Sequence, residues 1–156
     1  MTVSINKILI AEDESKIREE LVECLTDEGF DCVVASNGEE GLNLLCQDLD
    51  ITIVLSDIIM PRKSGLEMIL DAQSVIDKDR DLEFIILTGH GGSKEAIEAL
   101  KLGAIDFLEK PIDLDHLVHV VHRAEELVGL KRASRQYEAS LKADVQAKTL
   151  EIQKLL

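Results

Sequence analysis

Ile51-Thr-Ile-Val-Leu-Ser-Asp57-Ile-Ile-Met-Pro61-Arg-Lys-Ser-Gly65 is the stretch from which the fold can be read. Its first half is an apolar run rich in β-branched residues. It is too short for a helix of several turns, so it reads as a buried strand. The run stops at a carboxylate, Asp57. Pro61 lacks the N–H that a central strand needs, so the chain leaves the sheet between Asp57 and Pro61. Ser64 then offers a helix N-cap, and Glu67 supplies the reciprocal half of a capping box. Asp57 is thereby placed at the carboxyl end of a buried strand, where open α/β sheets hold their ligands. Taken alone, an aspartate there is most simply a turn cap. Its significance depends on what the other strand ends bring to it.

Upstream, Lys7-Ile-Leu-Ile-Ala11 is a second buried-strand run, and it stops at Glu12-Asp13-Glu14. Helical periodicity from Ser15 (Ile17, Leu21, Cys24, Leu25) closes at Gly29. Asp31-Cys-Val-Val-Ala35 is a strand, Asn37-Gly38 has turn chemistry, and a helix follows from Glu40 to Leu49 with Leu42, Leu45 and Cys46 inward. Downstream, a helix from about Ser64 to Ile76 leads to the strand Leu82-Glu-Phe-Ile-Ile-Leu87, which ends at Thr88-Gly-His-Gly-Gly92. Ser93 caps a short helix with Ala96, Ile97 and Leu100, closed by Gly103. Ala104-Ile-Asp-Phe-Leu108 is the last strand, followed by Glu109-Lys110-Pro111 and a helix from about Asp113 with no stop signal except Gly129.

Strands alternating with helices imply βαβ units with right-handed crossovers and a parallel sheet covered on both faces. The two common sheet orders at this size are a Rossmann half and the doubly wound flavodoxin-like (βα)5 order 2-1-3-4-5. The second puts the ends of strands 1 and 3 side by side and brings Glu12, Asp13 and Asp57 together. The first turn is acidic where a dinucleotide fold carries GxGxxG, and no P-loop is present, so nucleotide phosphate binding is disfavoured.

The chain has 156 residues, enough for one domain and an appendage. Its net charge of −14 is uneven: residues 129–156 carry six Lys/Arg against three acids, and the remainder holds 11 bases against 28 acids. So acidic a body repels nucleic-acid phosphates, which argues against direct nucleic-acid binding. The apolar runs fall short of a membrane span and the N-terminus lacks a signal-peptide pattern, so a cytoplasmic protein without a membrane partner is expected. Cys24, Cys32 and Cys46 lie in apolar patterns without CxxC spacing and read as reduced core residues.

Three carboxylates at one sheet edge repel one another. At ~4 Å and an effective dielectric of ~20, each like pair costs about 4 kcal/mol. A hard divalent cation with oxygen ligands and open water positions removes that cost, and Mg²⁺ suits it. Thr88 and Lys110 end strands 4 and 5 on the same rim. A hydroxyl and an ammonium opposite a carboxylate–metal site form a receptacle for an oxyanion, most simply a phosphoryl group on Asp57. Each member has a plainer reading: acids at a helix N-terminus, a turn cap, a solvated lysine. Four strand ends each supplying a suitable residue is hard to obtain by accident.

With Glu12-Asp13, Asp57, Met60-Pro61, Gly65, Thr88-Gly89, Phe107 and Lys110-Pro111 in place, residues 5–128 resemble the receiver domain of two-component response regulators, the CheY-like family. The resemblance implies a signalling phosphoacceptor rather than an enzyme. Asp57 would accept the phosphoryl group, and Asp13, Asp57 and the Ile59 backbone carbonyl would hold Mg²⁺ (or Mn²⁺), with Glu12 acting largely through water. Thr88 and Lys110 would contact phosphoryl oxygens, and Thr88 and Phe107 would form the switch. Phe107 stands where Tyr is commoner, Lys110–Pro111 would be cis, and Ile59 and His90 would flank the approach of water. The donor would be a sensor histidine kinase or phosphotransfer protein, and the output face would be helix 4, strand 5 and helix 5. Two rivals remain. A phosphate-independent receiver-like scaffold would act through its coiled coil, and the intact site residues argue against it. A phosphohydrolase would need an acid or base just beyond Asp57, where Ile58 and Ile59 stand.

Beyond Glu125 the positions Leu127, Leu130, Ser134, Tyr137 and Leu141, then Val145, Thr149, Ile152 and Leu156, form a heptad seam with a stutter-like slip. A lone polar helix of this length is marginal, so pairing with a second copy is expected. The reading is therefore a receiver at 1–128 and a helical coiled-coil linker at 129–156. The seam still runs at Leu156, which suggests a fragment of a longer protein whose output module lies beyond. His116, His119 and His122 recur every three residues and read as a solvated face rather than a metal site.

Overall fold

The computed structural model describes residues 6–89 and 93–155. It consists of β1 (Lys7–Ala11), α1 (Ser15–Asp27), β2 (Asp31–Ala35), α2 (Gly38–Gln47), β3 (Ile51–Asp57), α3 (Gly65–Val75), β4 (Glu83–Thr88), α4 (Lys94–Lys101), β5 (Asp106–Glu109) and α5 (Leu114–Leu155). The five strands form one sheet in the order β2-β1-β3-β4-β5, and every pairing is parallel. This is the flavodoxin-like arrangement expected from the sequence.

Alternation along the strands divides the core in two. Ile8, Ile10, Ile53, Leu55, Ile85, Leu87 and Leu108 pack with α1 and α5; Leu9, Ala11, Val54, Phe84 and Ile86 pack with α2, α3 and α4. All seven residues of β3 are buried, as befits the central strand of a doubly covered sheet. The Ser64–Glu67 capping box forms as read, with both reciprocal hydrogen bonds present, and Ser93 caps α4.

Three local expectations are corrected. Asn37 caps α2, accepting from the Glu40 N–H at 2.8 Å, so that helix begins at Gly38 rather than Glu40. Asn serves turns and N-caps through the same side-chain acceptor, and nothing local separates the two uses. Cys46 is exposed rather than core, because α2 turns Gly41 and Leu45 inward and Cys46 lies past that face. Cys24 and Cys32 are half-buried free thiols, both held above their usual range first by burial. On α4 the buried residues are Ala96 and Ala99, while Ile97 and Leu100 are 45% and 38% exposed. The small side chains let the helix approach the sheet closely and leave the larger ones facing outward.

Gly129 does not interrupt α5, which runs unbroken from Leu114 to Leu155. Its buried residues end at Val128. No helix among the described residues is long and apolar enough to cross a membrane.

Candidate functional site

Parallel register assembles the site. Ala11 pairs with Ser56 across β1–β3, so the next residues, Glu12 and Asp57, leave adjacent strands side by side. Asp57 pairs with Leu87, and Thr88 pairs with Glu109, which delivers Thr88 and Lys110 to the same rim. The Lys110 N–H donates to the Thr88 carbonyl at 2.8 Å, carrying the β4–β5 ladder one residue past β5. The Lys110–Pro111 peptide bond is cis.

Carboxylate oxygens of Glu12, Asp13 and Asp57 all lie within 4.8 Å of one another. Glu12 is wholly buried, Asp57 is buried and Asp13 is exposed. The Lys110 ammonium donates to Asp57 Oδ2 at 2.5 Å, and the Ile59 N–H donates to Asp57 Oδ1 at 3.2 Å. Lys110 Nζ also lies 3.2 Å from Glu12 Oε2, close enough for an ion pair. Its angle misses hydrogen-bond geometry, however, so this buried oxygen has no donor among the described residues. Glu12 Oε1 accepts from the Glu14 N–H at 3.2 Å, and Arg18 donates to the Glu12 carbonyl at 2.8 Å.

The electrostatics follow from burial and crowding. Desolvation first, and then the neighbouring Asp57 carboxylate, push the Glu12 carboxyl up to about 7. Burial works against the charged form of Lys110, but the hydrogen bond and field of Asp57, aided by Glu12, outweigh it and leave the ammonium's pKa raised. One ammonium thus serves two carboxylates, and a third stands beside them. A buried carboxylate oxygen without a donor, next to two further carboxylates, fits a hard divalent cation. The donor set is all oxygen.

The loop between β3 and α3 carries Ile59, whose side chain is 74% exposed. Two glycines hold this loop by close approach. A Cβ on Gly65 would stand 2.2 Å from the Asp57 carbonyl oxygen, and one on Gly38 would stand 2.3 Å from the Lys63 carbonyl oxygen. That Lys63 oxygen accepts from the Gly38 N–H at 2.9 Å, and the Gly65 N–H returns to the Ile58 carbonyl at 3.0 Å. Arg62 completes the turn with φ 66°, in the left-handed region. Gly38→Ala is therefore expected to cost about 1–3 kcal/mol in urea unfolding, because the obstacle is backbone and cannot rotate away. An unchanged midpoint would mean that the loop shifts freely.

The site residues named from sequence meet as follows. Glu12, Asp13, Asp57 and Lys110 are brought together, and Thr88 lies buried at the adjacent strand end. Phe107, one strand over, is half-buried and packs against the core face shared with α4. His90, Gly91 and Gly92 lie outside the described residues. Arg18 carries no sequence signal for its contact, a brace to Glu12 through its backbone, and Gly38, read as turn chemistry, shows its close approach only once the loop's carbonyls are placed.

This fold and this acid–lysine rim define a doubly wound flavodoxin-like domain with a candidate cation site at the carboxyl edge of its sheet. The family model for the response regulator receiver domain matches residues 8–122. The chain is 35% identical over 118 residues to the two-component response regulator PprB of Pseudomonas aeruginosa, covering 76% of this chain and 43% of that protein. It is 34% identical over 138 residues to the regulatory protein AtoC of Escherichia coli, covering 88% of this chain and 29% of that protein. The response regulator receiver domain protein of Clostridium thermocellum superposes with a TM-score of 0.74 at 31% identity, over 81% of this chain and 98% of that one. The chain belongs to the response regulator receiver domain family of two-component systems. It spans less than half the length of the two curated relatives just described.

Proposed function

We propose that the chain is a Mg²⁺-dependent phosphoacceptor switch charged on Asp57. The observation that carries this is the Asp57 carboxylate at the carboxyl end of β3, with Lys110 at 2.5 Å and Glu12 and Asp13 within ion-binding distance. The donor is the phosphohistidine of a sensor histidine kinase or a phosphotransfer protein. A carboxylate oxygen of Asp57 attacks phosphorus, the P–N bond to the donor imidazole breaks, and the imidazole keeps the electron pair and takes up a proton. An acyl phosphate remains on Asp57. Asp13, Asp57 and the Ile59 carbonyl would hold the cation, with Glu12 acting largely through water. When bound, that ion neutralises the carboxylates and the phosphoryl oxygens. Lys110 provides a fixed positive charge at Asp57 Oδ2, and the Thr88 hydroxyl is a donor to a phosphoryl oxygen.

Phosphorylation adds charge and strong acceptors at the rim. Thr88 draws toward them, Phe107 turns into the vacated space, and the α4–β5–α5 face changes. That face already presents Ile97, Leu100 and Leu114, each 38% exposed or more. A complete switch from 1:99 to 99:1 requires ~5.5 kcal/mol of differential stabilisation.

Residues 1–128 form the receiver and 129–156 a coiled-coil helix that pairs with a second copy and leads to an output module. Leu130, Tyr137, Leu141, Val145 and Ile152 are all at least 45% exposed along this helix, which supports pairing. The residues flanking the seam, Lys131, Ala133, Glu138, Ser140, Gln146, Lys148 and Gln153, are mostly neutral and set no continuous row of like charges against an identical helix.

The test is intact mass after incubation with a small phosphodonor. Wild type with Mg²⁺ gains one adduct of about 80 Da, which disappears with chelator and in Asp57→Asn. Sedimentation of both forms tracks the dimer. No adduct under any donor, with an unchanging dimer, would leave the phosphate-independent scaffold instead.

A further inference from the structure

At the end of β4 opposite Thr88, the loop and strand start present Asp79, Asp81 and Glu83, and the continuation of α5 lies on them. Lys131 pairs with Glu83, whose side chain is only 3% exposed. Arg132 Nε donates to Asp81 Oδ2 at 2.7 Å. Arg135 pairs with the other oxygen of Asp81 and also donates to the Asp79 carbonyl. Asp81 is thus held by two guanidinium groups on successive turns, with its side chain 8% exposed. These contacts lie beyond Val128, where apolar burial of α5 ends.

Helical geometry separates this contact face from the seam. At 100° per residue, Val128, Lys131, Arg132 and Arg135 fall on one stripe, and Leu130, Ser134, Tyr137 and Leu141 on another roughly 140° away. Lys131, the one of these cations that flanks the seam, is neutralised against Glu83.

We propose that Asp81 and Glu83 form a docking cradle. It holds the first two turns of α5 beyond Val128 and so points the Leu130–Ser134–Tyr137–Leu141 stripe away from the receiver, toward a second copy. The inference rests on the dimer reading above and adds the element that aims it. The rigid unit then extends through Arg135, and the free coiled coil begins after it. An extended helix without such support frays; held on the cradle, it is continuous with the receiver and carries any displacement of α5 to the seam.

The test uses the full chain. Lys131→Gln/Arg132→Gln/Arg135→Gln removes three surface cations and leaves the receiver core intact. Amide hydrogen exchange across residues 129–140 is expected to accelerate about tenfold or more, with receiver amides unchanged. The swap Asp81→Arg/Arg132→Asp/Arg135→Asp is expected to restore protection. In a Cys46→Ser background, Ser134→Cys is expected to form the intermolecular disulfide, and Gln136→Cys, turned off the seam, is not. Unchanged exchange in the triple variant, with Ser134→Cys still crosslinking, would overturn the cradle and leave the dimer reading standing. Accelerated exchange with no crosslink at either position would overturn the dimer reading, and the aiming role with it. Preferential crosslinking at Gln136→Cys would overturn the assignment of the faces.

Discussion

Lys110→Met is expected to destabilise the metal-free protein by about 2–4 kcal/mol at pH 7 and, in the same variant, to tighten Mg²⁺ binding about tenfold. The two effects have one cause. Lys110 lies 2.5 Å from Asp57 and 3.2 Å from Glu12, and without it the Asp57 carboxylate is left buried and unpaired. Breaking such a pair costs about 3–5 kcal/mol when both groups are fully buried. The Lys110 side chain is 24% exposed, so solvent offsets part of that. For the cation the sign reverses, because an ammonium beside a divalent ion repels it. Even at an effective dielectric near that of water, a +1 and a +2 charge ~5 Å apart cost about 1.5 kcal/mol, roughly tenfold in affinity. Urea unfolding in chelator and a Mg²⁺ titration by fluorescence or calorimetry read the two effects separately. If Lys110→Met lost stability without gaining affinity, the cation would sit elsewhere than the acid cluster.

Much of this site was legible without coordinates, because strand ends are written in the sequence as apolar runs that stop. Lys7–Ala11 halting at Glu12-Asp13 and Ile51–Ser56 halting at Asp57 place the acids once the sheet order is known, and parallel register does the rest. Of the two common sheet orders, 2-1-3-4-5 is the one that sets the ends of strands 1 and 3 side by side and gathers the acids. What was not legible has identifiable causes. Ile97 and Leu100 fit an inward face by spacing, yet α4 docks through Ala96 and Ala99, since contact with a sheet favours small residues that periodicity does not rank. Lys131, Arg132 and Arg135 look like ordinary flanking charge in a polar helix. Their partners, Asp81 and Glu83, are about fifty residues away, and no local pattern pairs them. Gly38 reads as turn chemistry, whereas its constraint is a carbonyl oxygen from a different loop.

Glu12 makes the metal-free protein lose stability as pH rises, against the usual acid-denaturation trend. In the folded chain its carboxyl is pushed up to about 7, first by burial and then by Asp57, whereas an unfolded glutamate titrates near 4.3. Between those values the folded state holds a proton that the unfolded state has released. Its contribution is therefore fully present below about pH 4.5 and is lost as pH rises through 7. At about 1.4 kcal/mol per pH unit between those two values, the loss is at most about 4 kcal/mol, of which about 3 kcal/mol falls above pH 5. Urea unfolding in chelator from pH 5 to 8.5 should show that decline in wild type and none in Glu12→Gln, which should be the more stable protein at pH 8. Asp57→Asn removes the second cause and should move the decline to lower pH without abolishing it, since burial remains. Saturating Mg²⁺ should flatten the wild-type profile, because a bound cation favours the ionised carboxylate that burial opposes. A profile that rises from pH 5 to 8 in chelator, alike in wild type and Glu12→Gln, would mean that Glu12 reaches water in solution.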